Sequence, residues 1–297
     1  LARTLRLRDL TLIVVGTVIG SGIFIVPGAV LRQTGEHAGP ALLVWFLGGA
    51  LSLLGALTYG ELGAMHPKAG GLYVFVRDAF GPLPAFLYGW TMFFAISSGS
   101  LATLAVAASG YAEQLIPLGV VGRKIAALTM IALVTAVNVR GTRHGAAVQN
   151  WATAVKVGAI VLMSVWLIGA GDWSFDEAPV WPERFGASLL SGAGLAMIGV
   201  LWAYEGWQYV TFSAGEALDP QRNFPRGIVL GTLFLIALYL LANVAYLAVL
   251  GPAGAAASDA VAAEAVRKLG GSGAGKLIAA AIIVSMFGAA NGLTLTA

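Results

Sequence analysis

The sequence predicts an all-α integral membrane fold of eight spans, the first and sixth broken near their middles, with the later part of the chain repeating the earlier part upside down. Three observations lead there. Of the 297 residues, 58% are hydrophobic and only 10% are charged, where a soluble domain carries about 25% charged residues. At a mean hydropathy of +0.84 the chain could not cover a water-facing surface. Apolar runs of spanning length recur from end to end, and two of them are interrupted at corresponding places.

The runs lie at 10–32, 40–65, 85–111, 124–140, 147–170, 188–213, 227–250 and 276–297, each near the ~20 residues a bilayer asks of a helix. They lack the alternation of barrel strands, so they read as helices, the form that satisfies its own backbone in lipid. Two connections carry structure of their own. Residues 66–82 open with Pro67 and a Gly70-Gly71 turn, then run amphipathically through Tyr73, Val74, Phe75 and Val76. Residues 258–269 start at Ser258, a candidate N-cap, and repeat Ala262, Ala265, Val266 and Leu269 at helical spacing before Gly270. An external helix lying on the bundle and a solvated loop fit this second stretch equally.

The first span carries Gly16, Gly20, Ser21 and Gly22; the sixth carries Gly199 and then WAYEGW at 202–207. Glu205 lies 185 positions after Gly20. The same offset carries the starts of the second and third spans close to those of the seventh and eighth. Five helices per copy is an odd number, so the second copy enters the membrane inverted, and paired interrupted helices mark the binding site of such folds. The first copy occupies 1–170 and an incomplete second copy 171–297. On this count the partners of the fourth and fifth spans would run to about residue 355. With Leu rather than Met at position 1, the sequence reads as truncated at both ends.

Charge sets orientation and removes function classes. A net charge of +3, from 17 Lys and Arg against 14 Asp and Glu, gives a pI near 9.3. The charges sit between apolar runs rather than in a stripe, so nucleic acid is not a partner. With the N-terminus inside, Arg3, Arg6, Arg8, Lys68, Arg77, Arg140, Arg143, Arg222 and Arg226 face the cytoplasm. Arg32, Arg123, Lys124, Arg184, Arg267, Lys268 and Lys276 face out, and the margin is reinforced around the first span. Asp172, Asp176, Glu177 and Glu183 cluster in one outer loop. The reading is a multi-pass protein of the plasma or inner membrane with a cytoplasmic N-terminus. The basic start precedes an apolar run too long for a signal-peptide core. Cysteine is absent, which removes disulfides, thiolate metal sites and a covalent tether to a partner subunit.

Few residues can carry chemistry. Gly20-Ser21-Gly22 unwinds easily, since Gly costs about 1 kcal/mol relative to Ala inside a helix. Freed N–H groups at the start of the following half-helix suit a carboxylate, and freed carbonyls of the preceding half suit a cation; close packing through small residues is the alternative. Glu205 is an acid near mid-bilayer, functional by default. It is flanked by Trp202, Tyr204 and Trp207, which could cap a solute and attract an amine, or it could bond loosened backbone. Lys156, ten positions into the fifth span, is too deep to snorkel. Its ammonium could stand where a coupling Na⁺ would sit, carry a proton, or pair with Glu205. Ser97, Ser98, Ser100 and Thr103 could line a cavity or pack between helices, as could Asn291; Glu61 caps or anchors a loop. His37, His66 and His144 show no metal-ligand spacing, and no metal or other cofactor is called for.

The motifs GTVIGSGIFIVPG (16–28), GELGAMHPKAGGLYVF (60–75), NVRGTRHGAAVQN (138–150), WAYEGWQYVTFSAGEALDPQRNFPRGI (202–228) and GAANG (288–292) resemble, in order and almost end to end, the amino acid–polyamine–organocation transporter superfamily and its L-type amino acid transporter branch. The resemblance implies a LeuT-type fold of five-plus-five inverted repeats and Na⁺-independent secondary transport of L-amino acids by alternating access, as an exchanger or with protons. It implies that Gly20, Ser21 and Gly22 bind the α-carboxylate. Ile19 and helix carbonyls around Trp202, Ala203, Glu205 and Gly206 would receive the α-amino group. Trp202 would gate the substrate, and Lys156 would replace a sodium ion. The position of Glu205 is often Gly in members for large neutral substrates and acidic in some for cationic ones. Animal members join a glycoprotein through a cysteine between the third and fourth spans. Residues 112–123 hold none, so a lone subunit is expected. A polyamine carrier, a sensor and a membrane enzyme are the rivals, and the last lacks a clustered catalytic set.

Overall fold

The structure, a computed structural model, describes residues 3–67, 70–139, 142–173 and 179–296, the side chains of 142–150, 295 and 296 excepted. Lys68, Arg140, Asp176 and Glu177, and the side chains of Arg143 and His144, lie outside the described residues.

Helices account for every regular element among the described residues. The first span is α1 (Leu7–Val18) followed by α2 (Gly22–Gln33), bent by 53° at their junction. The second is α3 (Ala38–Met65); α4 (Gly71–Phe80) then lies between spans. The third runs through α5 (Pro82–Thr91), a π-helical segment (Met92–Ser97) and α6 (Ser98–Leu115). The fourth is α7 (Gly119–Val139) and the fifth α8 (Thr142–Ala170). The sixth is α9 (Ala187–Tyr204) with a 3₁₀ segment (Trp207–Glu216), the seventh α10 (Pro220–Ala256) and the eighth lies in α11 (Val261–Thr296). Seven helices are long and apolar enough to cross a membrane, and the bent α1–α2 pair makes an eighth. The chain is a multi-pass membrane protein with the all-α architecture expected.

Several boundaries differ from expectation for physical reasons. α10 starts at Pro220 rather than 227, because Asp219 takes a left-handed turn (φ 45°) and Pro220 sits in the first turn, where its missing N–H costs nothing. The polar stretch QRNFPR hid this start from a hydropathy reading. The π segment was not anticipated; there the Ser98 hydroxyl donates to the Phe93 carbonyl at 2.8 Å across the widened turn. The expected sixth span of 188–213 ends its α-helix at Tyr204 and continues only as 3₁₀.

Both structured connections are helices. Gly70 (φ 115°) turns the chain into α4, whose Val74 is buried. Gly251 (φ 67°) and Gly271 (φ 73°) break α10 and α11, so residues 261–270 form a separate limb before the eighth span. Ser258 Oγ accepts the Ala260 N–H at 3.1 Å, and Ala262, Ala265 and Val266 are buried while Leu269 is exposed. A solvated loop is excluded for this stretch. Arg32, at the end of α2, bonds the Ala256 carbonyl and pairs with Asp259 at 3.0 Å, tying the limb to the first span.

α10 is the centre of the bundle. Beyond its polar first turns it is apolar on nearly all sides, and it packs against α1, α2, α3 and α8. Its approach to α1 is close: a Cβ on Gly227 would lie 2.8 Å from Leu10 Cβ, and one on Gly231 2.7 Å from Val14 Cβ. Large apolar side chains of the third and fourth spans, such as Phe86, Phe93 and Leu128, point outward, as a lipid-facing surface requires. Gly231→Val should force α1 and α10 apart and cost about 1–3 kcal/mol; thermal unfolding in detergent would detect it, and an unchanged midpoint would disprove this packing.

Candidate functional site

The two breaks touch. α1 ends at Val18 and Ile19 is extended (φ −69°, ψ 95°); α2 begins at Gly22 with Ser21 before it. A helix start leaves its first N–H groups without an acceptor one turn back, and here these belong to Ser21, Gly22 and Ile23. The Ser21 hydroxyl is buried and has no hydrogen-bond partner. In the sixth span Glu205 is extended (φ −63°, ψ 142°) and Gly206 has φ 125°, a conformation that favours Gly. A Cβ on Gly206 would lie 2.8 Å from the Thr17 carbonyl, and one on Gly22 2.6 Å from Ala203. The glycines are therefore what lets the broken spans meet. Thr17 Oγ1 donates to the Gly206 carbonyl at 3.0 Å and closes the junction.

A cleft opens at that junction, walled by Gly20, Ser21 and Gly22 from the first span and Trp202, Ala203, Glu205 and Tyr209 from the sixth. Ser100, Leu104, Ala289 and Leu293 close it from the third and eighth spans. A larger cavity of about 520 Å³ adjoins it and shares Ser100, Trp202 and Glu205. Trp202, 37% exposed, stands on the wall of both.

Glu205 is half-buried, and Oε1 accepts two bonds, from Gln208 Nε2 at 2.7 Å and the Tyr209 hydroxyl at 2.9 Å. Gln208 is oriented in turn by accepting the Gly206 N–H at 3.0 Å. Glu205 has no cationic side chain beside it among the described residues. Lys156 does not pair with it. Its buried ammonium donates instead to the carbonyls of Gly16 at 2.7 Å and Ile19 at 2.8 Å, across the end of α1 where helical N–H donors run out.

Of the residues singled out from the sequence, Gly20, Ser21, Gly22, Trp202, Ala203 and Glu205 come together on one cleft. Ile19 is fully buried beside it with its carbonyl engaged by Lys156, and Gly206 is packed behind it against Thr17. The three aromatics around Glu205 separate. Tyr204 turns away into a buried cluster with Trp45 and Tyr239, and Trp207 packs on Gly55 and Tyr59 at the adjoining cavity. Among the hydroxyls only Ser100 reaches the cleft; Ser97 lines a separate aromatic pocket, and Ser98 and Thr103 bond their own helix. Asn291 accepts from Asn138 at 3.0 Å between α7 and α11, and Glu61 is exposed. His37 meets the Pro179 carbonyl at 3.0 Å, and His66 lies 3.9 Å from Asp78. Among the described residues no three His, Cys, Asp or Glu side chains converge as metal ligands.

Thr17, Gln208 and Tyr209 escaped the sequence reading. The last two stand three and four positions after Glu205, the spacing at which helical side chains meet, so that signal was present. Thr17 is visible only once the breaks are brought together. Lys156→Met should leave the Gly16 and Ile19 carbonyls buried without a donor, at about 1–3 kcal/mol each. A lowered unfolding midpoint is expected, and a wild-type midpoint would refute the role.

Known proteins match this chain almost end to end. Residues 5–297 fit the family model described as amino acid permease. The b(0,+)-type amino acid transporter 1 of Rattus norvegicus is 37% identical over 96% of this chain and 59% of its own length. The serine/threonine exchanger SteT of Bacillus subtilis (strain 168) is 33% identical over 96% of this chain and 64% of its own. The large neutral amino acids transporter small subunit 2 of Homo sapiens is 35% identical over 96% and 54%. The chain thus spans between half and two thirds of the length of these relatives, which are named as transporters and an exchanger rather than as enzymes. It belongs to the amino acid permease family.

Proposed function

We propose that this chain is the substrate-binding part of a Na⁺-independent secondary transporter of L-amino acids, working by alternating access as an exchanger or with protons. The observation that carries the reading is the cleft at two helix breaks, where an unpartnered buried Ser21 hydroxyl stands beside the free N–H groups that start α2. That end of α2 carries partial positive charge and suits a carboxylate. The electronegative elements sit opposite, where Glu205 and the end of α9 favour an ammonium. A zwitterion satisfies both sides at once.

In this reading Gly20, Ser21 and Gly22 hold the α-carboxylate. Ile19, Ala203, Glu205 and Gly206 supply backbone or carboxylate oxygen toward the α-amino group, and Trp202 closes over the solute. Lys156 replaces a sodium ion by holding two carbonyls of the first span together. The two copies of the inverted repeat are 1–170 and 171–297, and the first and sixth spans bend at their breaks as the site opens to either side. The N-terminus is cytoplasmic and the membrane is the plasma or inner membrane. Supporting the substrate class, one relative is named for serine and threonine and another for large neutral amino acids. The absence of cysteine supports work without a disulfide-linked partner.

Reconstituted protein in liposomes preloaded with serine, leucine, arginine or putrescine, under varied Na⁺ and proton gradients, tests this directly. Uptake stimulated by an internal amino acid or a proton gradient and indifferent to Na⁺ is expected; strict Na⁺ dependence would overturn the coupling. Ser21→Leu should abolish uptake with folding intact, and transport at the wild-type rate would refute the carboxylate assignment.

One observation favours a second reading, a carrier of polyamines or other organic cations. Glu205 faces the cavity with Oε2 uncommitted and no cationic partner among the described residues. If it receives a cationic side chain or amine, Glu205→Gln should depress arginine and putrescine uptake and spare leucine. Equal loss of all three would instead assign Glu205 to the α-amino group.

A further inference from the structure

The break in the first span creates a problem that a residue of the seventh span solves. Val18 is the last helical residue of α1, and the N–H that would reach its carbonyl belongs to Gly22, which has turned away with α2. A buried carbonyl left unpaired is costly. Tyr239, fully buried on α10, donates its hydroxyl to that carbonyl at 3.2 Å.

The placement is built in from the N-terminal start of both helices. Leu10, Val14 and Val18 recur every four residues along α1. Opposite them on α10, Gly227, Gly231, Leu235 and Tyr239 recur at the same interval, and the two glycines let the helices close to contact. The seam therefore ends with Tyr239 at the point where α1 ends. Its ring is fixed edge-on to Trp45 at 5.8 Å and against Tyr204 at 5.0 Å. Tyr204 is the last helical residue before the other break, so one aromatic cluster touches both. The hydroxyls of Tyr204 and Tyr246 and the indole N–H of Trp45 are buried without partners. Among these neighbours, only the Tyr239 hydroxyl is committed to the broken backbone.

We propose that Tyr239 is a positioning residue: by holding the Val18 carbonyl toward α10, it keeps Ile19 extended and so aims the Gly20–Gly22 backbone into the cleft. Its effect on ligand affinity rests on the amino acid reading above; its effect on the backbone does not. Without the hydroxyl, the end of α1 is free to rotate and the N–H groups of the break lose their alignment.

The test compares Tyr239→Phe with Tyr246→Phe, each removing one buried phenolic oxygen from the same helix. Amide hydrogen exchange is followed in residues 14–24, and equilibrium binding is measured with labelled L-serine and L-leucine. Tyr239→Phe should speed exchange in 14–24 and weaken binding, each about two- to tenfold, as loss of one hydrogen bond allows. Tyr246→Phe should change neither. Unchanged exchange and affinity in Tyr239→Phe, or equal loosening in both variants, would overturn the proposal. Faster exchange in Tyr239→Phe alone, in a protein that binds no amino acid, would uphold the positioning role and reject the substrate reading.

Discussion

A peptide group exposed inside a membrane has to find a partner, and that constraint shapes the centre of this protein. Two spans are broken, so carbonyls and N–H groups that a continuous helix would pair are released in a region with little water to meet them. The surrounding helices supply most of the partners. Lys156 takes the Gly16 and Ile19 carbonyls, Tyr239 takes that of Val18 and Thr17 takes that of Gly206. Among the described residues, the groups left unmatched at the breaks include the N-terminal end of α2 with the Ser21 hydroxyl and the carbonyl end of α9, and both line one cleft. The proposed site is thus what the pairing by neighbouring helices leaves over, not a set of groups added to an intact bundle.

The same constraint explains why small residues gather where they do. Gly22 and Gly206 stand where the two broken spans approach to within a side chain's width, and Gly227 and Gly231 let α10 lie against α1. In lipid the hydrophobic effect does not drive helices together, so close packing and hydrogen bonds must do it. The glycines that weaken the helices at the breaks are those that allow the breaks to touch. Backbone release and backbone contact come from one residue type.

The acid and the base at the centre behave differently from a simple ion pair. Lys156 is spent on carbonyls of the first span, and Glu205 is held on one oxygen by Gln208 and Tyr209. Each charge is positioned by neutral dipoles, which leaves Glu205 available to a cation from outside the protein. Charge neutralisation between the two, an alternative the sequence left open, would have closed the cavity to an amine.

The spans, the two breaks and the residues Gly20, Ser21, Gly22, Trp202 and Glu205 were legible from sequence because each violates or satisfies a local rule: apolar length, glycine in a helix, charge in an apolar run. The start of α10 at Pro220, the π segment and the destination of Tyr204 were not, since hydropathy carries no turn geometry and one aromatic residue resembles another along a helix. The partner of Lys156 and the commitment of Tyr239 to Val18 were decided by the tertiary structure alone. These contacts join residues more than a hundred positions apart, and their energies depend on which helix ends meet, which no local pattern encodes.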